Sequence, residues 1–107
     1  MYNKKLPPIN AEGYLINVDD WSQELAEFIA LQENIELDEI TWAIINFVRD
    51  FYLEYKIMPL NRIITQHIRT QFGLEIGNSI YIQKLFPNGL LRQVSKIAGL
   101  PKPIQCL

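Results

Sequence analysis

The sequence predicts an α+β fold that is mainly α: a small N-terminal β-hairpin, a bundle of about five helices with a helix-turn-helix-like element, and a flexible C-terminal arm. Three observations predict it. Successive segments place apolar residues three and four positions apart, which is the helical period. A stretch ahead of them, 6–17, sets turn residues beside a compact apolar run. The final eight residues hold two prolines within three positions, which opposes helix and favours extended backbone. With 107 residues and 49% hydrophobic content, the expected organisation is one globular domain, 1–99, followed by the arm, 100–107.

The elements follow in order. Ala11-Glu12-Gly13 supplies the hairpin turn and Tyr14-Leu15-Ile16 the strand. So short a pair needs packing from elsewhere. Asp19-Asp20 then opens a helix, with Asp20 and Gln23 in loose capping-box spacing. Trp21, Leu25, Phe28 and Ile29 form its apolar stripe, and Glu24 and Glu27 face water. A second helix starts near Asp38, a good N-cap residue. Ile40, Ile44, Phe47, Phe51 and Tyr55 line one face of it. Trp42, Ile45 and Tyr52 widen that face, so this helix should be central. Pro59 marks its end. A third helix covers about 60–72, with Ile63, Ile64, His67 and Ile68 on one side and Gly73 as the stop. A short fourth helix follows Asn78, with Ile80, Ile82 and Leu85 apolar. Phe86-Pro87-Asn88-Gly89 forms a turn. The fifth helix covers about 90–98 and stops at Gly99.

Composition excludes several function classes. No apolar run approaches the ~20 residues of a membrane helix. The N-terminal Lys4 and Lys5 are not followed by the apolar core of a signal peptide. A cytoplasmic location without membrane partners is therefore expected. One cysteine permits no intramolecular disulfide. One cysteine and one histidine, His67, cannot make a cysteine/histidine zinc site, and no cofactor is expected. Residues 1–55 carry eleven acids and three bases, whereas 56–107 carry seven bases and one acid, Glu75. Either the two halves attract each other within the fold, or Arg62, Arg69, Arg92, Lys96 and Lys102 form a basic surface beside the arm. Such a surface would steer the protein toward acidic partners or tRNA.

Cys106 is the one strong nucleophile. A lone cysteine is commonly an inert buried hydrophobe. A position next to the last residue, beyond Pro101-Lys102-Pro103, argues for an accessible thiol. Its own chain does little to activate it. Lys102 favours the thiolate from four residues away, and the terminal carboxylate opposes it. An enzyme would need an activated site, whereas a carrier needs an accessible sulfur and partners that activate it. Lys102, restricted by its flanking prolines, is a docking contact in this reading, with Pro101, Pro103, Lys96 and Arg92 beside it.

The run Leu85-Phe86-Pro87-Asn88-Gly89, then Gln93, then Lys96-Ile97-Ala98-Gly99-Leu100-Pro101-Lys102-Pro103 and Cys106, resembles the signature of the DsrC/TusE family. Gly13-Tyr14-Leu15, Asp20-Trp21, Ile29-Ala30, Trp42, Arg49, Phe51-Tyr52, Pro59 and Arg62 match its pattern upstream. The resemblance spans nearly the whole chain. It implies that the penultimate cysteine, here Cys106, accepts sulfur as a persulfide and passes it on. The DsrC branch has a second cysteine eleven positions earlier. Ser95 stands there in this chain, so sulfur bridging within the chain is excluded. The single-cysteine pattern implies a sulfurtransferase that takes sulfur from a TusBCD-like donor complex. It would pass it to a MnmA-like tRNA thiouridylase for 2-thiolation of a wobble uridine. Two departures stand out: Leu90 where the family commonly has proline, and Thr41-Trp42-Ala43 where it often has His-Trp-Glu.

Two other readings compete. The helices around 60–85 and the basic second half permit a helix-turn-helix nucleic-acid-binding or regulatory module without sulfur chemistry. The pI of about 5.3 and the lack of a helix dense in base-reading side chains oppose it. The other is a docking subunit in which Cys106 is incidental.

Overall fold

The computed structural model describes residues 5–104. Its elements are a 3₁₀ turn, Val18–Asp20, and five helices: α1 Gln23–Gln32, α2 Glu39–Tyr55, α3 Asn61–Phe72, α4 Ser79–Leu85 and α5 Leu90–Ile97. α5 packs against α1, α2 and α4, α2 packs against α3, and α3 against α4.

The expected N-terminal β-hairpin is corrected. Among the described residues there is no strand, only an isolated antiparallel bridge between Ile9 and Leu15. Two hydrogen bonds flank it, Asn10 N to Tyr14 O at 2.8 Å and Ile16 N to Pro8 O at 3.1 Å. A longer ladder fails because Pro7 and Pro8 have no N–H to donate. The Asn10 side chain also takes over the turn, accepting from the amides of Glu12 and Tyr14, both at 2.9 Å. What remains is a side-chain-organised loop that buries Tyr14 and Leu15.

α1 begins two residues later than a cap at Asp20 would place it. Asn17 caps the 3₁₀ turn that contains Asp19 and Asp20. Ser22 is the N-cap of α1 and accepts from the Leu25 amide at 3.1 Å. Trp21 therefore lies ahead of the helix and is placed by a turn. α2 starts where its cap residue indicates. Asp38 and Thr41 form a reciprocal capping box, so one of the family departures, Thr41, satisfies an otherwise orphaned amide. Lys56 ends α2 in the left-handed region, φ 62°. α4 is capped by Asn78, but it buries only Ile82, while Ile80 is 69% exposed.

The core is continuous across the helices. Leu25, Ile29, Ile44, Ile45, Val48, Ile64, Ile68, Ile82, Phe86, Val94 and Ile97 belong to it, and so does Leu100. The other departure, Leu90, is also in this cluster. No helix among the described residues is long and apolar enough to cross a membrane.

Candidate functional site

Cys106 lies outside the described residues. What the structure describes is the root of the segment that carries it. The backbone leaves α5 through Gly99, at φ +71°. A Cβ there would lie 2.5 Å from Trp21 Cδ1, so the position requires glycine for both its backbone geometry and its contact. The Leu100 amide then donates to Ser95 O at 2.9 Å, and the Leu100 side chain is fully buried.

Two side chains from elsewhere hold this exit. Trp21 Nε1 donates to Ile97 O at 2.8 Å. An Arg49 terminal nitrogen donates to Ala98 O at 2.8 Å, and the other donates to Val18 O at 3.2 Å. The carbonyls at the end of a helix otherwise lack partners, and a cation there also complements the helix dipole. Arg49 stacks over the Trp21 ring, 4.3 Å from its centroid. Burial holds the Arg49 pKa below its ordinary value against the opposing pull of Asp50 and Asp19. Rather than pairing with an acid, Arg49 bonds to backbone carbonyls.

Beyond Leu100, Pro101 and Lys102 are exposed, Pro103 is half-buried and Ile104 is exposed. Lys102 Nζ meets Glu12 at 2.6 Å, with both side chains more than half exposed. The hydrogen bond to Glu12, together with its charge, raises the Lys102 pKa. Lys96 and Arg92 converge on one carboxylate. Lys96 lies 3.3 Å from Glu33 Oε2, Arg92 lies 3.3 Å from Glu33 Oε1, and Gln93 Nε2 donates to Oε1 at 3.2 Å. Burial alone would raise the Glu33 pKa. The Gln93 hydrogen bond and the charges of Lys96 and Arg92 outweigh it and hold the carboxyl below its ordinary value. Lys96 also sits 5.3 Å from the centroid of the buried Tyr14 ring.

The expected basic surface is therefore divided. Lys96 is largely buried and paired, which makes it a tie between α5 and the end of α1. Arg92 shares that tie but is 42% exposed. Lys102 is tied to the N-terminal loop. Arg62 and Arg69 instead line a groove by α3 and α4. Ser95 is fully buried and its hydroxyl donates to Leu91 O. His67 is exposed and stacks on Phe47, centroids 4.0 Å apart at 15°. Sequence reasoning passed over the Arg49–Trp21 clamp and the role of Glu33. An arginine inside the apolar α2 was the signal for the first. The second had none, because Glu33 meets its partners only through the tertiary fold.

Comparison with known proteins agrees with this architecture. The family model described as "DsrC like protein" matches residues 1–107. A protein named Sulfurtransferase TusE from Sodalis glossinidius is 48% identical over 98 residues, covering 92% of this chain and 91% of that one. The protein of the same name from Salmonella typhimurium is 46% identical, with 92% and 90% covered. Among solved structures, the oxidized gamma-subunit of dissimilatory sulfite reductase (DsrC) from Archaeoglobus fulgidus superposes with TM-score 0.89 at 33% identity, covering 100% and 97%. DsrC from Allochromatium vinosum gives TM-score 0.79 at 45% identity, covering 92% and 88%. The match of motif, length and helical packing is decisive: this chain belongs to the DsrC-like family.

Proposed function

We propose that this protein is a sulfurtransferase that acts as a sulfur carrier in the tRNA thiolation relay, with Cys106 as the atom-bearing residue. The thiolate of Cys106 attacks the outer sulfur of a donor persulfide. One S–S bond forms at Cys106 as the donor's S–S bond breaks, and the donor departs as a thiolate. The transfer involves no net oxidation. In the second step a nucleophile of the next protein takes the outer sulfur, and Cys106 leaves as thiolate. The donor in this reading is a TusBCD-like complex and the acceptor a MnmA-like tRNA thiouridylase that makes 2-thiouridine at the wobble position. Both act in the cytoplasm.

The observation that carries the reading is the division at Leu100. The last side chain of the core lies six residues before the only thiol, and Pro101 and Lys102 between them face solvent. A carrier needs a thiol tethered to a rigid body, with activation supplied by the partner's pocket. In this reading 1–99 is the globular domain and 100–107 the arm, with Leu100 as its mooring. Lys102, Pro101 and Pro103 make the docking contact, and Arg92 extends it on the exposed edge of α5. The family membership and the relatives named Sulfurtransferase TusE support the same role.

The test is intact-mass spectrometry after incubation with cysteine, a cysteine desulfurase and the upstream relay proteins. A sulfur adduct on the wild type, lost in Cys106→Ser, is expected. An adduct that never forms, or that persists in Cys106→Ser, overturns the reading.

A further inference from the structure

The groove beside α3 and α4 is not used by the carrier chemistry. It is open, about 540 Å³, and lined by Asn61, Arg62, Thr65, Gln66, Arg69 and Ser79. Each of these side chains carries an N–H or O–H donor, although the buried Thr65 hydroxyl is already given to Asn61 O at 2.9 Å. The lining includes no carboxylate and no aliphatic side chain, although the chain as a whole is acidic and 49% hydrophobic. Arg, Ser, Thr, Asn and Gln are the residue types that contact phosphate oxygens along a nucleic-acid backbone.

The local fold holds the groove in shape. The α3–α4 connection comes so close to α3 that a Cβ on Gly77 would lie 2.1 Å from the Arg69 Cα. Arg69 Nε donates to Gly77 O at 2.9 Å. That bond orients the guanidinium and leaves its two terminal nitrogens without a partner among the described residues. Arg62 is exposed and forms no ion pair among the described residues. This sets the pair apart from Arg92, Lys96 and Lys102, whose charges are met by Glu33 and Glu12.

We infer that this groove seats the phosphate backbone of an RNA strand. An open trough rather than an enclosed pocket suits a chain that enters and leaves. Unpaired arginines in a lining without carboxylates match a polyanion. The choice of RNA over DNA rests on the carrier reading, in which the final acceptor acts on tRNA. The groove would then hold the carrier on the RNA-bound acceptor while the sulfur is delivered.

The experiment is fluorescence anisotropy with an end-labelled tRNA transcript and the full-length protein across a salt series. The variants are Arg62→Gln and Gln66→Glu, both at exposed positions and therefore compatible with folding, which thermal melting verifies. Wild type should bind, with affinity falling as salt rises. Each variant should lose roughly tenfold in affinity, and Arg62→Gln should also lower the salt slope by about one phosphate contact. Equal binding by wild type and variants, or no binding, overturns the inference. So does tighter binding of duplex DNA of matched length. So does an effect of the variants that appears only with the thiouridylase and no RNA, which would assign the groove to an acidic protein surface. Sulfur loading of Cys106 in the same samples separates the two proposals. Loading without RNA binding fails the groove alone, and RNA binding without loading fails the carrier reading alone.

Discussion

Arg49 and Trp21, from α2 and the turn before α1, stack face to cation at 4.3 Å and donate to neighbouring carbonyls at the end of α5, Ala98 and Ile97. Each holds the other in place for its bond, so the two act as one clamp. Trp21→Phe keeps most of the ring but leaves Ile97 O without its donor. Arg49→Ala removes two hydrogen bonds and the stack. Each should cost about 1–3 kcal/mol in denaturant unfolding. The Leu100 amide, bonded to Ser95 O just beyond the clamp, should exchange with solvent faster in both variants. The double variant should cost less than the sum of the singles.

Gly99 and Gly73 offer a matched comparison. Both have positive φ, +71° and +92°. A Cβ at Gly73 meets nothing within 4 Å, whereas one at Gly99 runs into Trp21. Gly73→Ala should therefore cost about 1–3 kcal/mol from backbone strain alone, because φ +92° with ψ 173° is a conformation essentially confined to glycine. Gly99→Ala should cost distinctly more, because the indole must move and give up its bond to Ile97. Chemical denaturation of the two variants side by side checks the order.

Glu33 makes stability depend on acid pH. Its carboxyl is held below the ordinary range in the folded state, so the folded chain binds its proton less readily than the unfolded one. The stabilisation is fully present above the unfolded pKa of about 4.3 and is lost as pH falls through the lower folded value. Glu33→Gln keeps the shape and an acceptor but removes the charge facing Lys96 and Arg92. It should be less stable at neutral pH, and its stability should fall less steeply below about pH 4.3 than the wild type's. Unfolding curves collected from pH 3 to 7 would show the two profiles converging in acid.

Lys102 and Glu12 form an exposed pair, and exposed pairs contribute little to stability. Glu12→Gln should leave the melting temperature unchanged. If Lys102 serves the partner, Lys102→Gln should slow sulfur transfer to the acceptor, while Glu12→Gln, which frees the lysine, should not slow it. Transfer rates measured with labelled sulfur would distinguish these outcomes.

Much of the helical framework was legible because its signals are local. Asp38, Asn78, Gly73 and Gly99 mark helix ends through their own side chains or backbone freedom, and α2 to α5 lie close to where those residues place them. The N-terminal hairpin was misread because a turn beside a compact apolar run looks alike whether or not a ladder forms. There the prolines and Asn10 decided against it. The position of Cys106 was plain in the sequence and so was the stiffness of the prolines after Leu100. The fixing of the exit by Trp21, Arg49 and Leu100 was not, since those contacts join residues up to 76 positions apart. The basic residues were visible as a set, but their partners were not. Only the fold shows that Glu33 takes two of them and Glu12 a third.

Glu33 belongs to the acid-rich half of the chain, and both of its cationic partners lie on α5 in the base-rich half. The uneven distribution of charge along the sequence therefore acts on assembly as well as on the finished molecule. Opposite charges attract over about 8 Å at physiological ionic strength, farther than side chains must approach to pack. Such attraction would draw α5 toward α1 before their apolar faces meet, and concentrated salt should then slow refolding more than it weakens the native state.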